Sequence, residues 1–362
     1  MISSKDIAVV VQGAIDEKET AKCLKSIRRY LPDAEIILST WEGSSIGNLD
    51  FDILKLNKDP GAELLETTRN RTIYNNMNRQ LLSTQEGLKL ATRKFALKLR
   101  SDLILSSNKF LMYFNEFTCR TENYKLFERK IITPTLFTRF NFHNRQRKTR
   151  LLMPFHISDW WLLGLKKDLD TYFADTQLVK EPGFTNYFSL PENKQKNSPY
   201  GDSCCFKFAP EQYFGYECFS RNYKDIHMED ASDYSDKTMS QFRECLVNNF
   251  IVLEYAQSGI YLNKYPYSKN ERFSGDQYIG LYNFYRYETE YKNICDNGYQ
   301  IQTHNTKMFK DEEYGYDLLR IYKHISKFAE PKTSLLSKLE QILISIPFSI
   351  LSFLVKHFKN FK

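Results

Sequence analysis

Hydrophobic and polar positions alternate in two rhythms over the first hundred residues. Residues 7–12 form an unbroken apolar run closed by Gly13, the pattern of a strand buried on both faces. Over residues 20–31, Leu24, Ile27 and Leu31 fall at helical spacing, Lys22, Lys25, Arg28 and Arg29 take the opposite side, and Pro32 ends the element. Residues 35–40 and 53–56 read as two further strands. Residues 73–91 read as a long helix striped by Met77, Leu81, Leu82 and Leu88, and 95–99 as the next strand. Strands that alternate with helices predict βαβ units, hence an α/β fold whose central sheet is mainly parallel and flanked by helices. Further along, 130–137, 153–163 and 247–253 read as strands, and Pro210 sits at the first turn of another helix. Residues 181–199 read as a surface loop, and the acidic stretch 224–237 as solvated.

Ligands of such sheets bind outside the carboxyl ends of the strands. Gln12-Gly13, Thr40-Trp41-Glu42 and Arg100-Ser101-Asp102 all fall at predicted strand ends. A carboxylate there can hold a divalent cation that bridges two phosphates, and a guanidinium can fork onto phosphate oxygens directly. Asn78 and Arg79, near the start of the long helix, can reach a nucleotide or a sugar hydroxyl from one helical face, or can simply be a polar first turn. His156, Ser158, Asp159, Trp160 and Trp161 suit a carbohydrate, because carboxylates accept from hydroxyls and indole faces cover the apolar side of a sugar ring. A hydrogen-bonded core histidine accounts for His156 equally well. Glu211 follows Pro210 and serves either as a base toward a sugar hydroxyl or as a complement to the helix dipole; the first role requires the fold to bring it beside Asp159.

Composition narrows the classes. With 42% hydrophobic residues in 362, the chain has the material for a core, and disorder is excluded. A net charge of +7 from 51 basic and 44 acidic residues admits a phosphate-bearing partner or an anionic membrane surface, and nucleic acid is not among the expected partners. Seven cysteines without a C-x-x-C pair predict ordinary thiols in a reducing compartment. The first apolar run is too short for a secretion signal, so a cytoplasmic protein is expected. No Ser-His-Asp signature, G-x-S-x-G element or Walker-type loop competes. The end of the chain differs: residues 342–355 carry no charge, Pro347 interrupts them, and Lys356, Lys359 and Lys362 follow. The stretch is too short to cross a bilayer. It reads as an interfacial amphipathic segment on the inner face of the membrane, the alternative being a helix packed on the core.

The segments 9–13, 23–28, 34–43, 57–62, 78–80 and 97–105, with Pro154-Phe155-His156-Ile157-Ser158-Asp159, Pro210-Glu211-Gln212-Tyr213 and 247–252, resemble in order the WavE family of lipopolysaccharide-synthesis proteins. The resemblance covers roughly residues 5–260. It implies glycosyltransfer on a GT-A-like nucleotide-sugar fold, in which a D-x-D motif binds a metal ion and the diphosphate. Asp102 matches the last Asp of that motif and becomes the expected ligand for Mn or Mg; Arg100 stands where the first Asp would be. Glu211 matches the helix-borne catalytic carboxylate.

The expected division is a transferase domain at 1–330 and an amphipathic tail at 331–362. Gln12, Gly13, Thr40, Asn78, Arg79, Arg100 and Asp102 are the expected donor contacts, His156, Ser158 and Trp160 the acceptor contacts, and Glu211 and Asp159 the catalytic pair. The expected partners are a nucleotide sugar and a lipid-linked oligosaccharide or lipopolysaccharide core. A CDP-polyol phosphate transferase and a catalytically silent glycan- or membrane-binding adaptor are the alternatives.

Overall fold

Strand β1 (Ile7–Gln12) is buried at every position and forms the middle of a seven-stranded sheet. The other strands are β2 (Glu35–Trp41), β3 (Ile53–Asn57), β4 (Phe95–Arg100), β5 (Ile131–Pro134), β6 (Trp161–Leu165) and β7 (Phe250–Leu253), in the spatial order β7-β5-β6-β4-β1-β2-β3. β1 runs parallel to β2 and β4, β2 to β3, and β7 to β5; β6 alone is antiparallel to its neighbours β4 and β5. The expected mainly parallel sheet flanked by helices is therefore present. This computed structural model describes residues 2–68, 71–144, 149–180, 183–193, 196, 205–263 and 280–302. The expected tail 331–362 and residues 145–148 lie outside the described residues.

Helix α1 (Glu17–Tyr30) follows β1, and Asp16 caps it by accepting from the amides of Lys18 and Glu19 at 3.1 and 2.9 Å. Helix α2 (Met77–Leu90) packs on β1 and β2. Three more helices, α3 (Lys166–Phe173), α4 (Pro210–Asn222) and α5 (Asp236–Asn249), cover the β5–β7 side, and α6 (Phe284–Ile294) packs on α5 and β7. No described helix is long and apolar enough to cross a membrane.

Four elements differ from the sequence expectation, each for a local reason. Residues 71–75 are not the start of the long helix. Arg71–Asn75 pairs antiparallel with Glu63–Thr68 as a hairpin, consistent with the β-branched Thr72 and Ile73, and the helix starts only after Asn76. Of residues 153–163 only the end is strand: a turn at Pro154 and Phe155, whose φ is 60°, breaks the ladder, so 153–160 is buried but unpaired in the sheet. The helix α5 runs through Val247 to Asn249, and β7 starts at Phe250. The acidic stretch 224–237 is not fully solvated, since Asp230 is buried and takes an ion pair from Lys196.

Candidate functional site

The carboxyl ends of β1, β2, β3 and β4 open onto one cleft of about 590 Å³. Its wall is built from Gln12–Asp16 after β1, Trp41 at the end of β2, Asp59 after β3, Arg100-Ser101-Asp102 at the end of β4, and Asn76, Arg79 and Gln80 from the start of α2. Parallel register makes this convergence automatic: Gln12 lies opposite Ser39 on one side and Arg100 on the other, so three chain reversals fall at one level. Gly13 has φ of 117°, a conformation open to glycine, and its amide donates to the Ser39 carbonyl at 3.1 Å. Ser101 ties the β1 and β4 ends together, its amide donating to the Gln12 carbonyl and its Oγ to the Ala14 carbonyl at 2.6 Å.

Two guanidiniums face this cleft from different elements. Arg79 donates from Nε and Nη2 to both Asp59 oxygens at 2.8 and 2.6 Å, and from Nη1 to Asn76 Oδ1. Arg100 donates from Nε and Nη2 to both Asp102 oxygens at 3.1 and 2.9 Å and lies over the Trp160 ring, 5.0 Å from its centroid. Burial acts to lower the Arg100 pKa, but the charge and hydrogen bonds of Asp102, and then Asp159 and Glu211, raise it above its ordinary value. Asn76 makes no side-chain cap to α2; Asn75 Oδ1 accepts from the Met77 amide at 3.0 Å, and the positive end of that helix adjoins the cleft.

Behind Arg100 lies a second cluster. Asp159 is 1% exposed, and among the described residues its Oδ2 has no hydrogen-bond partner. Lys98, fully buried on β4, donates to the main-chain carbonyl of Asp159; burial lowers its pKa to about 8, against the opposing charge of Asp159. Glu211 is half-buried in the first turn of α4. Its approach to Asp159 follows from Gly215, one turn later on the same face, where a Cβ would lie 2.2 Å from the Phe155 carbonyl oxygen. Gln212 Nε2 donates to the Pro154 carbonyl and fastens the same contact. Burial, then the Asp159 charge, raises the Glu211 pKa to about 7, with Arg139 and Arg100 opposing. One carboxylate of this pair is thus disposed to hold a proton near neutrality.

Gln12, Gly13, Arg79, Arg100 and Asp102 line the cleft, and Asp159, Glu211 and Trp160 gather behind Arg100. Four residues sit instead in the frame. Thr40 is fully buried, 3.4 Å from Ser44 Oγ, and its neighbour Trp41 takes the cleft wall. Asn78 closes its amide on the backbone of Val179, donating to the carbonyl at 3.0 Å and accepting from the N–H at 2.8 Å. His156 is 3% exposed with Nδ1 2.9 Å from the Phe137 carbonyl, and burial followed by the Arg139 charge drives its pKa well below the usual imidazole value. Ser158 Oγ donates to the Leu136 carbonyl at 2.6 Å. Sequence reasoning passed over Trp41, Asp59, Gln80 and Lys98 as site residues. Lys98 carried a visible signal, a lone charge inside the apolar run of β4.

The family resemblance read from the sequence implies a divalent cation at Asp102. The carboxylates on the cleft wall do not present a ligand set for one. Asp16 caps α1, Asp59 is gripped by Arg79 and by the Gly61 amide, and both Asp102 oxygens accept from Arg100. A cation at Asp102 would sit against a guanidinium. Among the described residues no group of three or more His, Cys, Asp and Glu side chains is placed to hold a metal ion.

No curated protein matches the sequence. Among solved structures, a galactosyltransferase LgtC in complex with donor and acceptor sugar analogues is 14% identical, with 80% of this chain and 96% of that one covered and a TM-score of 0.30. The apo glycosyltransferase GlyE of Streptococcus pneumoniae TIGR4 is 15% identical over 64% of this chain and 45% of that one, with a TM-score of 0.27. The 4-diphosphocytidyl-2C-methyl-D-erythritol synthase of Anaerococcus prevotii is 14% identical over 48% and 78%, also at 0.27. The family match is of a different order: it spans residues 7–327, and the chain belongs to the WavE lipopolysaccharide synthesis family.

Proposed function

We propose that this member of a lipopolysaccharide-synthesis family is a glycosyltransferase that takes a sugar from a nucleotide diphosphate and passes it to a lipid-linked oligosaccharide or lipopolysaccharide core. One observation carries the reading: a cleft at the carboxyl ends of parallel strands combines two guanidiniums, an indole and a helix N-terminus, and a carboxylate pair lies directly behind it. Guanidiniums and helix amides suit a diphosphate, and the Trp41 face suits a nucleobase. In this reading Gln12, Gly13, Arg79, Arg100 and Asp102 hold the donor, and Trp160 borders the acceptor.

Glu211, with its proton affinity tuned toward neutrality, takes the proton from the acceptor hydroxyl. The acceptor oxygen bonds to the anomeric carbon, the bond from that carbon to the diphosphate oxygen breaks, and the nucleoside diphosphate leaves with the electron pair. Arg100 stands between the two clusters and stabilises charge on the leaving group. Asp159 orients the hydroxyl and sets the Glu211 pKa. The apolar and lysine-rich end of the chain, 331–362, would hold the enzyme in the plane of a lipid-linked acceptor.

A panel of nucleotide sugars tests this. The matching donor, at a hundred times its dissociation constant, should stabilise the protein by about 2.7 kcal/mol. It should also be turned over slowly to nucleoside diphosphate by water alone. Stabilisation by CDP-polyols instead would shift the reading to polyol phosphate transfer. Stabilisation by no activated donor would leave a glycan- or membrane-binding adaptor.

A further inference from the structure

We propose that the donor's diphosphate is neutralised by Arg79 and Arg100 in place of a divalent cation. The inference rests on the donor-site reading above and adds to it how the cleft balances charge. The two guanidiniums enter from separate elements, α2 and β4, and line the same cavity. Each is held by a carboxylate through its Nε–Nη2 edge, which fixes its plane before any ligand arrives.

The two pairs differ in a way that assigns different parts to them. Asp102 is 14% exposed and Arg100 is backed by the Trp160 ring, so this pair stays closed and aims the Nη1 edge of Arg100. Asp59 is 40% exposed, so water can take over its carboxylate when Arg79 turns toward a phosphate. The start of α2, where Asn75 takes the Met77 amide, adds partial positive charge beside Arg79. A cation would compete for carboxylates that already carry guanidiniums, and it would be repelled by them. Arginine in the first position of the Arg100-Ser101-Asp102 motif is then the replacement for the metal, built into the chain.

The test is binding of UDP, GDP, CDP and ADP to the full chain, followed by calorimetry and by tryptophan fluorescence, to which Trp41 on the cleft wall contributes. The expected result is one nucleoside diphosphate whose dissociation constant is the same, within about twofold, in EDTA and in millimolar Mg or Mn. Arg100→Met and Arg79→Met should each weaken it roughly ten- to a hundredfold in EDTA, as expected for loss of a charge-assisted bond. Arg100→Lys should recover part of the loss. If Arg100→Met fails to fold by circular dichroism, Arg79→Met, at a half-exposed position, carries the test. Binding that vanishes in EDTA, with arginine variants that bind like the parent in Mg or Mn, overturns the arginine assignment and leaves the donor site standing. Failure of every nucleoside diphosphate to bind in either condition overturns the donor-site reading and this inference with it.

Discussion

Glu211 and Asp159 are fifty-two positions apart in sequence and come within electrostatic reach of each other because α4 lies against the turn at Phe155. Their coupling gives a signed expectation. A base must be unprotonated to act, so the rate of sugar transfer should rise with pH through about 7, where burial and the Asp159 charge have moved the Glu211 carboxyl. Glu211→Gln should cut turnover by roughly a hundred- to ten-thousandfold and abolish that rise while donor affinity changes little. Asp159→Asn should shift the rise toward lower pH, because it removes the charge that opposes ionisation of Glu211. The same group affects stability with a definite sign. Its folded pKa lies above the unfolded value, so its contribution is fully present below about pH 4.5 and is lost as pH rises through about 7. Thermal melts of Glu211→Gln and the parent should therefore diverge in favour of the variant as pH rises from about 4.5 to about 7, and keep a constant gap above that. A parallel pH dependence would place Glu211 in water and remove it from the pair.

Among the elements, α4 is the part most exposed to a single small change. A methyl group at Gly215 would meet the Phe155 carbonyl oxygen at 2.2 Å, and backbone does not move aside cheaply. Gly215→Ala should cost about 1–3 kcal/mol as an overpacked contact, and should lower turnover more than donor affinity because it tilts Glu211 away. A melting temperature and donor affinity both equal to the parent's, with unchanged turnover, would mean that α4 docks independently of this contact. The strands were legible in proportion to their burial. β1, β2 and β4 are buried on both faces and carry mostly apolar runs, so sequence alone placed them and their carboxyl ends. The hairpin Glu63–Thr68 with Arg71–Asn75 was not legible, because Asn75-Asn76 and Arg79 read as one polar helical turn when the register of pairing is unknown. The 153–160 segment was misread because burial without ladder pairing leaves the same apolar pattern as a strand.

At the level of the whole molecule, the sheet divides the work. The carboxyl ends of β1–β4 present the cleft proposed for the donor, and because β6 runs antiparallel its start lies at the carboxyl end of β4, which brings 153–160 beside Arg100, where Asp159, Lys98 and Glu211 collect. The first half of this plan was readable from strand ends. The second was not, since the contact between α4 and residues 154–159 is long-range and leaves no periodic trace; only the unusual charge of Lys98 inside a strand hinted at it. The same limit explains why Thr40, Asn78, His156 and Ser158 looked functional: polar side chains at the right positions are equally suited to bracing turns, and three-dimensional partners decide which they do. Full-length protein should co-sediment with anionic vesicles in a salt-sensitive way, and deletion of 333–362 should release it; sedimentation unchanged by the deletion would move any membrane contact to the folded domain.

The central claim, that the cleft at the strand ends is the donor site, is tested most directly by hydrogen–deuterium exchange of the full chain with and without a stabilising nucleotide sugar. Protection should appear in peptides covering Gln12 to Asp16, Asn76 to Gln80 and Arg100 to Asp102 together. Protection confined to other surfaces, with these three segments exchanging as in the free protein, would contradict it.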